Sequence, residues 1–150
     1  MKHFVQAIML GFAVCAMVAM PGIAHAEVVL VGSSRLPFGE ISKTKLRDLY
    51  TGQSQVVGNS SVLVIDRDNT FRERSDFILS TLGFTSEEFK TVQRLLECIG
   101  VSKAPTVARD SKHLIQMLVS NPNALGYVTR QEFQDDELKS RLRLIKVLAE

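Results

Sequence analysis

Short, β-rich apolar runs alternate with capped amphipathic helices along this chain, and that alternation confines it to an α/β layer architecture. Glu27-Val28-Val29-Leu30-Val31 reads as a buried strand closed by Gly32-Ser33-Ser34, and Ser61-Val62-Leu63-Val64-Ile65 as a second, preceded by a turn at Gly58-Asn59-Ser60-Ser61. Between them, Ser42 is placed to cap a helix that carries Leu46 and Leu49 on one side and stops at Gly52. Thr70 with Glu73, and Thr85 with Glu88, both make the capping-box pattern. The first predicts a helix with Phe71, Ile78 and Leu82 at helical spacing, ended by Gly83. The second predicts a helix with Phe89, Val92, Leu96 and Ile99 on one face, ended by Gly100. Ser111 begins another helix through Leu114, Ile115, Leu118 and Val119, which Asn121-Pro122 halts. Leu125-Gly126-Tyr127-Val128 reads as a short strand. The tail from Leu142 to Leu148 suits a final strand, although Leu138, Leu142, Ile145 and Ala149 also fit a helical face.

The start of the chain carries a different signal. Lys2 and His3 precede a nearly unbroken apolar run from Phe4 to Met20; Pro21-Gly22 interrupts it and Ala24-His25-Ala26 supplies an A-x-A cleavage site. This is the layout of a secretory signal peptide over residues 1–26, with a mature domain over 27–150. A membrane anchor fits less well, because a helix breaker and a cleavage site follow a run of about the minimum spanning length. The mature chain is long enough for one domain and too short for two. Loss of Lys2 leaves 17 basic against 16 acidic side chains, a balance that directs the protein neither to nucleic acid nor to an anionic membrane.

Cys15 belongs to the leader, so Cys98 is the single cysteine of the mature chain and has no internal disulfide partner. Cys98 sits on an amphipathic helix and is expected to behave as a small buried hydrophobe. His113 also stands alone. Neither metal-ligand spacing, nor a dinucleotide fingerprint, nor a nucleophile with its base is present in the pattern, so a cofactor-free, non-catalytic protein is expected. Tyr50 and Tyr127 lie within apolar-patterned elements and are expected in the core; Phe38 fits either core or a cleft wall.

Three stretches in fixed order resemble the second half of the periplasmic phosphate-binding proteins that serve ABC transporters. They are Ile41 to Gln53, with Leu46, Leu49, Tyr50 and Gly52 matching the helix end L-x-x-I/L-F/Y-x-G; Val64 to Arg72, matching an Arg- and Ser/Thr-rich strand-to-helix turn; and Asn121-Pro122-Asn123-Ala124-Leu125-Gly126-Tyr127-Val128, matching N-P-x-A-I/L-G-Y-V. The resemblance runs from about Val28 to Val147. It implies one lobe of a type II periplasmic-binding-protein-like fold, with a largely parallel mixed sheet flanked by helices. Full-length members have two lobes and hold the anion between them, whereas this chain has room for one. A lone lobe exposes the face its mate would cover, which leads us to expect a homodimer or an envelope partner such as an ABC permease.

The resemblance also directs attention to a site. The family holds phosphate with an R-x-x-x-S-G-T-like stretch at a helix N-terminus, where backbone N–H groups and the helix dipole favour an anion. Here Thr70 matches the hydroxyl residue, Arg67 stands closer to it than in the motif, the Ser-Gly pair is missing, and Asn69 takes a position better suited to glycine. Arg67, Arg72 and Arg74 crowd the positive end of the expected helix, a conflict that a bound oxyanion would remove. The alternative is that these arginines face solvent or pair with Asp66, Asp68 and Asp76; on the anion-site reading, replacing Arg67 or Arg72 is expected to weaken binding and leave folding nearly intact. Ser33 and Ser34 form a second candidate, either presenting N–H groups to an anion or making a plain turn. The expected ligand residues are therefore Ser33, Ser34, Arg67, Asn69, Thr70 and Arg72. Two functions follow: recognition of phosphate or another oxyanion for transport or sensing, or an envelope interaction module whose ligand site is degraded.

Overall fold

The computed structural model describes residues 26–149. The expected leader up to His25, with Cys15 within it, lies outside the described residues. In chain order the elements are β1 (Val28–Ser33), β2 (Glu40–Ser42), α1 (Lys43–Thr51), β3 (Val56–Val57), β4 (Ser60–Ser61), β5 (Leu63–Arg67) and α2 (Arg72–Phe77), which runs into a π-helical turn at Ile78–Leu82. There follow α3 (Ser86–Cys98), β6 (Thr106–Ala108), α4 (Ser111–Ser120), β7 (Ala124–Thr129), a 3-10 turn at Glu132–Gln134, α5 (Asp136–Arg141), β8 (Leu142–Leu144) and β9 (Lys146–Leu148).

Five strands form the central sheet in the order β6-β5-β7-β1-β8. Strand β5 runs parallel to β6 and β7, whereas β1 runs antiparallel to β7 and β8. The sheet is thus mixed, with its parallel half where the expected βαβ alternation lies and its antiparallel half where the first strand meets the tail. The tail resolves into both of its readings: Leu138 sits in α5, and Leu142 onward is strand, split at Ile145 so that β9 leaves the main sheet to pair with β2.

Successive strand residues point to opposite faces, so each central strand feeds two cores. Leu30, Val64, Leu125 and Tyr127 face a cluster with Leu46, Tyr50, Phe77 and Phe89 from α1, α2 and α3. Val31, Ile65, Ala124 and Val128 face a second cluster with Leu114 and Leu118 of α4 and Leu138 of α5. The result is helix, sheet, helix, in which the β-rich runs are apolar throughout because both their faces are covered. Tyr50 and Tyr127 are both fully buried, as expected, with Phe77 stacked on Tyr127 at 3.9 Å between ring centroids.

Helix ends follow local chemistry at most positions. Ser42 accepts from Lys45 N–H at 3.2 Å and caps α1, and Gly52 ends it at φ 86°, where an added Cβ would lie 2.8 Å from the Lys103 carbonyl oxygen. Thr85 and Glu88 form the complete capping box of α3. Two expectations fail. Thr70 does not cap a helix: α2 begins at Arg72 with Phe71 at its N-cap and no side-chain cap bond. Asp68 is the cause, because its Oδ1 takes the Thr70 N–H at 3.0 Å and its carbonyl takes the Phe71 N–H, fixing a turn that delays the helix. Cys98 is exposed, not buried, and so is Ile99, because α3 buries Phe89 near its start and its last turn lies open to solvent. Among the described residues no helix is long and apolar enough to cross a membrane.

Candidate functional site

The buried polar chemistry concentrates at the C-terminal end of β5. Strand β5 is apolar until Asp66 and Arg67, which are only 3% and 2% exposed. Charges buried this deeply persist only when each is paired. Asp66 Oδ2 accepts from Arg74 Nε at 3.0 Å, and its Oδ1 accepts from the Tyr127 hydroxyl at 2.6 Å and from the Arg67 N–H at 2.8 Å. Burial and then the Asp66 charge hold the Tyr127 hydroxyl firmly protonated, pushing its pKa far above the ordinary tyrosine value. The Arg74 guanidinium lies over the Phe89 ring, 5.4 Å from its centroid.

The Arg67 side chain points to the other side. Its Nη1 donates to Ser111 Oγ at 2.8 Å, on the first residue of α4, and its Nη2 donates to Glu132 Oε2 at 2.8 Å. Nε is buried without a hydrogen-bond partner among the described residues. Glu132 is fixed by a reciprocal capping pair: Thr129 N–H donates to Glu132 Oε2 at 2.7 Å, and Glu132 N–H donates to Thr129 Oγ1 at 3.0 Å. Burial pushes the Glu132 carboxyl pKa up, but the Thr129 N–H, the Arg67 charge and the Ser111 and Thr129 side chains outweigh it and leave it lowered. Asp66, Arg67, Arg74 and Glu132 make two positive and two negative charges, a closed set.

This cluster lies at the carboxyl ends of the parallel strands β5 and β7, beside the start of α4. That is the edge of an α/β sheet where ligands are generally taken. A cavity of about 210 Å³ opens there, lined by Arg67, Asp68, Asn69 and Arg74 with Pro105 opposite. A second, of about 450 Å³, is lined by Thr129, Arg130, Glu132 and Gln134.

The structure separates the residues that the sequence grouped. Arg67 is in the buried cluster. Asn69 and Thr70 are exposed on the adjoining turn, and Arg72 is 55% exposed with Asp76 4.0 Å away. Ser33 and Ser34 are at the opposite end of the sheet, because β1 runs antiparallel to β7 and brings Gly32 level with Leu125 and hence Val64. Ser33 Oγ there accepts from the Arg35 N–H at 3.3 Å and the Ser33 carbonyl from the Leu36 N–H at 3.0 Å, as in a plain turn, while the Ser34 N–H donates across to the Arg141 carbonyl at the end of α5. Arg67 and Arg74 pair with Glu132 and Asp66 inside the protein and are not solvated. Phe38 is half-buried against the core.

Ser111, Thr129 and Glu132 escaped the sequence reading. Thr129-x-x-Glu132 is the same S/T-x-x-E pattern that marks α3, so a signal for the turn existed; nothing local tied it to Arg67. Among the described residues no three His, Cys, Asp or Glu side chains gather as metal ligands would, and His113 serves α4 locally, its Nδ1 accepting from the Arg109 N–H at 3.2 Å. Chemically, the arrangement offers a guanidinium, a hydroxyl and a backbone N–H converging on one anionic group, which is a set for holding an oxyanion.

No protein-family profile and no curated protein sequence matches the chain. In three dimensions it is similar to an ABC-type phosphate transport receptor from Vibrio cholerae, with a TM-score of 0.58 and 18% identity over 81% of this chain and 46% of that one. It is similar to PstS from Borrelia burgdorferi, with a TM-score of 0.60 and 18% identity over 81% of this chain and 47% of that one. A Clostridium perfringens protein solved with bound phosphate aligns with a TM-score of 0.59 and 18% identity, over 81% of this chain and 45% of that one. The fold is therefore that of phosphate substrate-binding proteins, and the chain spans less than half the length of the solved proteins it matches.

Proposed function

We propose that this chain is a solute-binding lobe that recognises phosphate or another oxyanion in the periplasm, for transport through an ABC permease or for sensing. The observation that carries this reading is Arg67. Its guanidinium is fixed at the carboxyl ends of two parallel strands, against the first turn of α4, in a fold shared with phosphate-binding neighbours. A buried guanidinium is preorganised for an oxygen anion, since it has lost its mobility before the ligand arrives. Asn69, which lines the cavity of about 210 Å³ beside Arg67, adds a donor from the solvent side. The anion is bound without chemistry on it, in keeping with neighbours that are binding proteins.

The test is a calorimetric titration of the exported chain, residues 27–150, with phosphate and with sulfate. Saturable binding at or below millimolar anion is expected, with a loss of roughly ten- to a hundred-fold in Arg67→Ala, the effect of about 1.5–3 kcal/mol from a charged hydrogen bond. Absence of saturable binding in the wild type rejects the reading.

One observation favours a second reading, that of a non-catalytic envelope interaction module. Leu95, Ile99, Val101 and Val107 are each about half exposed or more, around the end of α3 and edge strand β6. An edge strand with apolar surroundings suits docking to another protein or to a second copy of this chain. Light scattering across a concentration series, with pull-down from an envelope extract, separates this from a strict monomer.

A further inference from the structure

Arg67 poses a problem that the fold has solved in a particular way. A guanidinium 2% exposed is always charged and is costly to bury without an anion beside it, whether or not a solute is present. Asp66 does not fill that role, because its two oxygens are taken by Arg74, Tyr127 and the Arg67 main chain. The anion that meets the Arg67 side chain is Glu132. Its Oε2 receives Arg67 Nη2 at 2.8 Å and Thr129 N–H at 2.7 Å, with Ser111 Oγ bonded to the same guanidinium. One carboxylate oxygen thus collects a guanidinium and a backbone N–H next to a hydroxyl, the donors a phosphate or sulfate oxygen would use.

We propose that Glu132 is an internal occupant of the oxyanion seat: its carboxylate holds the place of the solute, and an external oxyanion binds by displacing it. This rests on the reading of Arg67 as the centre of an anion seat and adds how the seat is regulated. Glu132 stands on a single 3-10 turn whose backbone is tied to Thr129, and the cavity of about 450 Å³ beside it gives the turn room to swing out. A tethered carboxylate competes at an effective concentration far above that of any free solute, so the wild-type seat is weakened toward weak ligands and selects those carrying more charge or more oxygens than a carboxylate. Phosphate and sulfate meet that requirement; acetate and chloride do not.

The experiment compares wild type with Glu132→Ala and Glu132→Gln. Each protein is titrated with inorganic phosphate and sulfate by calorimetry, and its melting temperature is followed in phosphate, sulfate, acetate and sodium chloride at equal ionic strength. We expect Glu132→Ala to melt below wild type in chloride and to bind phosphate or sulfate at least tenfold more tightly than wild type. Its melting temperature should rise with those anions by more than the wild-type value does. Glu132→Gln keeps the shape of the turn but not the charge, and should show the same tightening to a smaller degree; it carries the test if the alanine variant does not fold. Arg67→Ala combined with Glu132→Gln should lose the response. Tightened binding in the variants with none in wild type upholds the inference while rejecting solute binding by the native lobe. Equal affinity in wild type and both variants overturns the inference and leaves the solute-binding reading standing. No anion response in any of the proteins overturns both.

Discussion

At one end of the central sheet the chain turns on Gly32-Ser33-Ser34 through packing and local backbone bonds; at the other, Asp66, Arg67, Arg74 and Glu132 interlock as buried ions. In sequence both ends look like anion loops, one rich in Gly and Ser and the other in Arg and Thr. The difference between them is what the backbone turns inward. Strand β1 ends against Leu36 and Ile145, so its serines have nothing to gather around. Strand β5 ends by carrying two charges into the protein, and Arg74, Tyr127, Ser111 and Glu132 converge on them. A loop composition predicts a turn; a functional site needs convergent groups, and convergence is a property of the sheet order.

The contrast can be broken most sharply at Arg67. Arg67→Ala leaves Glu132 facing an empty place and should cost about 3 kcal/mol in a denaturant titration, the lower end for breaking a buried pair because Glu132 retains 24% exposure. A loss below about 0.5 kcal/mol, the range of an ordinary surface change, would mean that this end is as loosely held as a solvated one. At the opposite end, Gly32→Ala should be felt through sterics alone. Its Cβ would meet Leu36 Cδ1 at 2.3 Å and the Ala124 carbonyl oxygen at 3.4 Å, so Leu36 must shift, at about 1–3 kcal/mol and with no change in anion response.

Acid sharpens the comparison further. The folded pKa of Glu132 is depressed, so its contribution to stability is complete above the ordinary glutamate value and is lost as pH falls through the folded one. Melting temperatures measured over that acidic window should converge for wild type and Glu132→Gln, and separate in favour of wild type at neutral pH. A gap that persists unchanged into acid would show that the charge of Glu132 contributes nothing. The smallest effect belongs to Arg72→Ala. Arg72 is 55% exposed and 4.0 Å from Asp76, so the change should stay within about 0.5 kcal/mol and should hardly alter binding; a tenfold loss of phosphate affinity would move the seat outward to the turn.

By itself the sequence determined what is decided within a few residues. The apolar runs at Val28 and Leu63 had to be covered on both faces, and Ser42, Gly52, Gly83, Thr85 and Glu88 set helix ends because a cap reaches only three or four positions along the chain. Even at that range competition intervened at Thr70, whose N–H Asp68 captured first. Short β2 and β6 had no pattern to announce them: three residues carry too little alternation, and both exist because a neighbouring strand offers its edge. Of the buried cluster, only Arg67 and the pairing of Arg74 with Asp66 were legible in the sequence. The Arg67 partners Ser111 and Glu132 are 44 and 65 residues away, and Tyr127 lies 61 from Asp66. Only the tertiary structure could assemble them, by placing β7 and α4 beside β5, because the free energy of a buried charge depends on which groups surround it in space and not on which adjoin it in the chain.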